Sequence, residues 1–219
     1  MAKSQPAPRT RKPAPPTTGA WVLLYHCAHE ELLGWVGHGS EEFFREALES
    51  LRSDEDSEWE PQELQLLERL LRRAVFEGLL FDGLNAEERY YLSQLLIDLF
   101  DEWVDHDVAS DELSLDQLLP LESQLDATDP ARILLGYVLR GREVGADQIV
   151  WRGGKIEDCL PAMGHLTVAE CGALLRSLQR VTRRPGYRVG RAEKALLGAV
   201  EGAVEAELDL VSFVAQLGE

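Results

Sequence analysis

Cysteine, long apolar runs and the common catalytic signatures are scarce or missing in this 219-residue sequence. The three cysteines, Cys27, Cys159 and Cys171, are odd in number and lack CxxC spacing, which argues against a disulfide framework and favours buried free thiols in a reducing compartment. No run approaches the roughly 18 uninterrupted apolar residues of a membrane span, and no apolar segment of the secretory type stands at the N-terminus. We therefore expect a cytoplasmic protein that binds no membrane.

The residue patterns of several large enzyme groups are also missing. There is no GxSxG, HExxH, GxxxxGK(S/T) or GxGxxG, so the common hydrolase, zinc protease and nucleotide sites lack their signatures. From motifs alone we predict no catalytic residue, no metal and no cofactor.

Positive charge is in deficit and unevenly placed. The chain has 22 Lys and Arg against 39 Asp and Glu, and its formal net charge is −17. Because phosphates are bound mainly through Lys and Arg, most of the surface is excluded as a nucleic-acid site, and only two basic segments remain for that role. One is an N-terminal tail with Lys3, Arg9, Arg11 and Lys12. The other is a basic patch of Arg176, Arg180, Arg183, Arg184, Arg188, Arg191 and Lys194.

The tail differs in composition from the rest of the chain. Residues 1–19 contain five prolines and no acidic residue, so too little surface could be buried there to offset the entropy lost on ordering. We predict a disordered, basic, Pro-rich tail at residues 1–19 and a single α+β globular domain at residues 20–219.

Negative charge is concentrated in the middle of the chain. From Tyr90 to Ala131 there are eleven carboxylates and no Lys or Arg. We expect an exposed acidic helical face that binds a basic protein, and the predicted partner-binding residues are Asp98, Asp101, Glu102, Asp105, Asp107, Asp111 and Glu112. Carboxylates spaced i, i+4, i+7 would also suit Mg²⁺ or Ca²⁺, although a solvated face is the favoured interpretation. The basic patch could instead dock on this acidic middle, within one chain or between the subunits of a homo-oligomer.

Hydrophobic periodicity predicts a strand at each end of the domain, with helices between them. The apolar run at residues 22–27 indicates a central strand, and the alternation at residues 208–214 indicates a half-buried one. Helices are predicted at residues 29–36, 41–51, 61–77, 90–104, 113–125, 130–140, 167–182 and 190–207, with a break near Pro120. The predicted fold is α+β, mostly helical, with a small sheet formed by the N-terminal and C-terminal strands. These two strands pair directly or flank a third strand near Ile149.

One stretch of the sequence resembles a known group. Residues 137–181, with YVLRGREVG and DCLPAMGHLTVAECGALLRSLQ, are similar to a group of uncharacterised bacterial α+β proteins that form a domain of unknown function. The resemblance extends over residues 21–217, and His165 stands where that group has an aromatic residue. It implies an α+β fold and transfers no functional residue.

Three functions remain open at this point. The leading hypothesis is a non-enzymatic protein-protein interaction module, an inhibitor-like or immunity-like acidic partner of a basic protein. The second is an adaptor whose basic tail engages a partition-type ATPase or nucleic acid. The third is an enzyme that uses the neighbourhood of His26, Cys27, His29 and His38, with Cys27 or Cys159 as nucleophile if His165 or His106 approaches it.

Overall fold

A computed structural model of the chain describes residues 19–53, 59–143, 148–149 and 162–216. The predicted tail and Cys159 therefore lie outside the described residues. The strands of the main sheet are β1 (Ala20–Cys27), β2 (His106–Ser114), β5 (Ala162–Leu166) and β6 (Asp209–Gln216), and two short strands, β3 (Arg142–Glu143) and β4 (Gln148–Ile149), pair separately. The main sheet has the order β2-β1-β6-β5, and every neighbouring pair is antiparallel.

Helices make up most of the described chain. They are α1 (His29–Leu33), α2 (Glu41–Ser53), α3 (Pro61–Glu77), α4 (Ala86–Trp103), α5 (Leu115–Gln124), α6 (Ala131–Arg140), α7 (Val168–Thr182) and α8 (Arg191–Ala206). Capping boxes form at the starts of α4 and α7, where Asn85 with Glu88 and Thr167 with Glu170 satisfy each other's backbone N–H groups. None of these described helices is both long enough and apolar enough to cross a membrane.

The helices cover both faces of the sheet. Helices α1 to α4 pack against Val211 and Phe213 of β6 in one apolar core. Helices α5 to α8 pack against Leu210 and Val214, whose side chains point to the opposite face, in a second core. The sheet therefore separates the acidic helix α4 from α7 and the start of α8, where residues of the basic patch lie.

The direct pairing of the first and last strands confirms the predicted α+β fold. Leu23 of β1 lies opposite Phe213 of β6 in an unbroken antiparallel register. The last strand is not half-buried as predicted, because β6 lies between β1 and β5 with helices on both faces and its residues 209–214 are all buried. Its polar residues are satisfied internally; the Ser212 hydroxyl, for example, donates to the carbonyl of Val138 at 2.8 Å.

The prediction of an acidic helical face was wrong for four of its seven residues. Asp98, Asp101 and Glu102 lie on α4. Asp105 lies between α4 and β2, and Asp107, Asp111 and Glu112 lie on β2, at the edge of the sheet. An exposed edge strand does not need apolar alternation, and Val108 at its centre is 60% exposed. This is why the sequence pattern gave no strand signal there.

Two further predictions need correction. Pro120 does not break a helix, since α5 continues through it; the neighbouring Leu118 and Leu121 are buried, and their packing offsets a proline penalty of about 3 kcal/mol. Ile149 does not join the main sheet but pairs with Arg142 in the separate β3–β4 ladder.

The place beside β6 is taken instead by β5, a strand that the sequence did not reveal. Glycine is required at one of its positions, because a Cβ on Gly164 would overlap the carbonyl oxygen of Tyr137 and the hydroxyl of Ser212. The strand thus lies directly against α6.

Candidate functional site

Three polar residues meet where β1 and β5 end and β6 begins. Cys27, the last residue of β1, lies opposite Asp209, the first residue of β6, and His29 follows two positions later at the start of α1. His165 on β5 pairs with Val211 of β6. Because these pairs are antiparallel, the ends bring His29, His165 and Asp209 together from three distant parts of the sequence.

Both histidines bind the same carboxylate oxygen. The distance from Nδ1 of His29 to Oδ2 of Asp209 is 2.6 Å, and that from Nε2 of His165 to the same oxygen is 2.7 Å. The other oxygen, Oδ1, accepts the backbone N–H of Val168 at 3.0 Å. The two imidazole rings are stacked, with centroids 5.6 Å apart. Asp209 is therefore held in place at both oxygens.

The cluster extends from the protein interior to its surface. The side chains of Asp209 and His165 are only 2% and 6% exposed, whereas that of His29 is 55% exposed. Burial alone would raise the pKa of the Asp209 carboxyl, but hydrogen bonds and positive charge from His165 and His29 outweigh it and hold the pKa below its usual value. Asp209 is thus a buried anion, and of its two histidine partners only His29 is exposed to solvent.

The cysteines do not supply a nucleophile at this site. Burial and the nearby charge of Asp209 raise the pKa of the Cys27 thiol to about 12 and likewise that of Cys171. Since the thiolate is the reactive form, both described cysteines stay protonated at neutral pH. This argues against one version of the third hypothesis, in which Cys27 is the nucleophile.

The structure divides the predicted histidine cluster. The group of described residues that could hold an ion is His29, His165 and Asp209, and it excludes His26 and His38. His26 points to the opposite face of the sheet, where its Nε2 lies 2.8 Å from the carbonyl oxygen of Ala199 on α8. His38 is exposed in the turn before α2.

Sequence reasoning missed Asp209 as a site residue and named His165 only as a possible partner of a cysteine nucleophile. One signal was available, because Asp209 interrupts an otherwise apolar run. A buried carboxylate needs a partner, so this interruption pointed to an unseen contact.

A second candidate site is a groove of about 590 Å³ on the α2 and α4 side of the sheet. Its apolar floor comprises Leu23, Tyr25, Leu51, Trp59, Ile97, Phe213 and Ala215. Its acidic rim comprises Asp98, Asp101 and Glu102. Asp101 and Glu102 are exposed, and the Glu102 carboxylate accepts a hydrogen bond from the hydroxyl of Ser50.

The remaining acids of the predicted surface lie beyond this groove. Asp105 and Asp107 are exposed where α4 passes into β2, and Glu112 is exposed near the end of β2. Asp111 belongs to the same strand. The groove therefore collects only the α4 part of the predicted partner-binding residues.

The basic patch contacts a small part of the acidic middle. Arg180 on α7 forms an ion pair with Asp129 at 2.9 Å, and Arg184 donates to the carbonyl of Gln124 at 3.0 Å. Arg176, Arg180 and Arg183 line one cleft of about 530 Å³. Arg191, at the start of α8, lines another of about 520 Å³ together with Glu112.

Within one chain the patch thus reaches Asp129 and the β2 edge but not the α4 acids, which lie on the other side of the sheet. Arg188 lies in the exposed loop before α8, and Lys194 lies in the first turn of that helix. The basic patch and the acidic rim of the groove therefore lie on opposite sides of the sheet.

Comparison of the chain with protein-family models, with curated proteins and with solved structures finds no match. The candidate sites are therefore interpreted from their own geometry and charge.

Proposed function

We propose that the protein is a cytoplasmic, non-enzymatic interaction module that binds a basic segment of a partner protein in the groove between the sheet and α4. The observation that carries the proposal is the combination of an aromatic and aliphatic floor with an acidic rim. A segment that alternates Arg or Lys with apolar side chains matches both.

The floor supplies the affinity. Tyr25 and Phe213 lie with ring centroids 5.4 Å apart, and Trp59 stands beside them in the groove wall. Apolar side chains that cover this surface gain about 25 cal/mol per Å² removed from water. Guanidinium groups add cation–π contacts of roughly 0.5–1 kcal/mol each with exposed aromatic faces.

The rim supplies orientation and speed of association. Asp101 and Glu102 are exposed, and four more acids, Asp54, Glu55, Asp56 and Glu58, follow Ser53 of the groove wall in the sequence. Exposed charges of one sign steer an oppositely charged partner, and this effect is screened over about 10 Å at 0.1 M salt. Binding should therefore accelerate as the salt concentration falls.

The test uses a fluorescently labelled peptide of alternating arginine and tryptophan, Ac-RWRWRW-NH2, and the matched acidic peptide Ac-EWEWEW-NH2. Fluorescence anisotropy should show saturable binding of the basic peptide alone. In the full-length variant D101K/E102K we expect affinity to fall by about 2- to 30-fold, because each exposed ion pair contributes roughly 0.2–1 kcal/mol. Trp59→Ala should also weaken binding, since it removes part of the floor.

The matched control is the variant E201K/E205K, which makes the same change of net charge on the exposed side of α8, across the sheet. Under the proposal this control binds like the wild type. Equal losses in the two double variants would show that net charge attracts the peptide without a specific groove, and the proposal would be wrong.

The adaptor hypothesis has a separate readout. In the full-length variant K3Q/R9Q/R11Q/K12Q the tail loses its positive charge, while the groove is unchanged. We expect peptide binding to persist. A short DNA duplex that binds the wild type and not this variant, combined with rim variants that bind peptide normally, would favour the adaptor.

A further inference from the structure

We propose that His29, His165 and Asp209 form a Zn²⁺ site with three protein ligands and an open fourth position. This site is independent of the groove, and its failure would leave the proposed function untouched. The three candidate ligand atoms, Nδ1 of His29, Nε2 of His165 and Oδ2 of Asp209, all lie within 4.8 Å of one another.

The donor set is the first argument. Imidazole nitrogen and carboxylate oxygen are ordinary Zn²⁺ ligands at about 2.0–2.2 Å, and three such ligands with one open position are typical of zinc sites that hold a water molecule. Two histidines and one carboxylate are the set of ligands that the described residues offer at this position.

The spacing is the second argument. Ligands about 2.0 Å from a tetrahedral ion lie roughly 3.3 Å apart, and the two nitrogen-to-oxygen distances are now 2.6 and 2.7 Å. Entry of an ion thus requires each ring nitrogen to move away by about 0.6–0.7 Å. His29 has the freedom to do so, because it is half-exposed at the start of the five-residue helix α1.

The orientation of Asp209 is the third argument. The backbone N–H of Val168 engages Oδ1, and this leaves Oδ2 directed at both rings. Such outer hydrogen bonds fix ligands for a metal. When Zn²⁺ replaces the two ring N–H donors, each neutral imidazole carries its proton on its other nitrogen, so the exchange conserves protons at the rings.

Charge is the fourth argument. Asp209 is 2% exposed, and among the residues that the structure describes its ion-pair partners are the two histidines, with no Lys or Arg. Burying the negative charge of a carboxylate is costly unless a positive charge compensates it. A divalent cation at Oδ2 would compensate it directly.

The test is a titration of metal-stripped, untagged full-length protein with ZnCl₂ by calorimetry, and with CoCl₂ by visible absorption. We expect one equivalent of each ion to bind, and a Co²⁺ spectrum of tetrahedral type. Loss of a residue that only hydrogen-bonds a metal ligand commonly weakens metal binding about 10- to 100-fold. His29 is itself a proposed ligand, so H29A should weaken Zn²⁺ binding by more than that. His38→Ala, which removes an exposed histidine outside the cluster, should bind like the wild type.

His29→Ala is the decisive variant, because an exposed side chain can be removed without disturbing the core. A separate variant, H165A, removes the other proposed histidine ligand. Far-UV circular dichroism checks that each variant is folded. Absence of stoichiometric Zn²⁺ binding by the wild type would overturn the proposal. Equal Zn²⁺ affinity in wild type and H29A would also overturn it, and the cluster would then be a hydrogen-bonded structural element.

Discussion

Replacing Asp209 with alanine should lower the free energy of unfolding by roughly 2–6 kcal/mol. The carboxylate accepts hydrogen bonds from His29, His165 and the backbone N–H of Val168. His165 is buried and Val168 is half-buried, so two donors would be left without partners and largely without water. Each such donor costs about 1–3 kcal/mol, which gives the range for the pair.

His29→Ala should lower the free energy of unfolding by much less. Its side chain is 55% exposed, and its removal leaves the Oδ2 atom of Asp209 bonded to His165. The expected loss is about 0.5–1.5 kcal/mol, the net value of one hydrogen bond. Asp82→Ala, in the exposed turn after α3, is the matched control and should change stability by no more than about 0.5 kcal/mol.

Urea unfolding followed by circular dichroism, in metal-free buffer, measures all three variants. If D209A is too unstable to purify, Asp209→Asn keeps one carbonyl oxygen for the donors and should give an intermediate loss. A decrease below about 1 kcal/mol for D209A, or equal decreases for D209A and H29A, would refute the view that the buried part of the cluster supports the fold.

Two other predictions concern residues near the sheet. Gly164→Ala should destabilise the protein by about 1–3 kcal/mol or more, because the new methyl group overlaps the carbonyl of Tyr137; a melting temperature unchanged from the wild type would contradict the close packing of β5 on α6. Burial tends to raise the pKa of Glu170, but hydrogen bonds from Arg142 and the Thr167 backbone, together with the Arg142 charge, lower it below the usual 4.5. Its stabilising effect is therefore complete above about pH 4.5 and is lost as the pH falls through the lower folded value, so the stability difference between wild type and E170Q should shrink in acid. A difference that stays constant from neutral pH into acid would show that the charge of Glu170 is not responsible.

Local signals in the sequence predicted the helices well. Asn85 with Glu88, and Thr167 with Glu170, mark the starts of α4 and α7, because a capping box is satisfied within four residues. The apolar runs at the two ends of the domain likewise predicted β1 and β6, and their direct pairing was one of the two arrangements left open. Capping and periodicity depend on nearby residues, which a single sequence displays directly.

The candidate sites could be predicted only in part. Asp98, Asp101 and Glu102 were identified from charge alone, but the apolar floor beneath them comes from strands and helices far apart in the chain. His29 was named as part of a possible enzyme site, but its contact with Asp209 was not predicted. The ring of His29 and the carboxylate of Asp209 are 180 positions apart, and no local pattern encodes that contact.

The sequence by itself determined which segments form helices, the end strands and the separation of acidic from basic segments, because capping, periodicity and charge are local properties. Only the tertiary structure decided that residues 106–114 form an edge strand, that Pro120 stays within a helix, and that β6 is buried on both faces. The tertiary structure also brought His29 and His165 to the same carboxylate oxygen of Asp209. Strand order sets these outcomes, and it depends on burying both faces of one sheet under helices contributed by the whole chain.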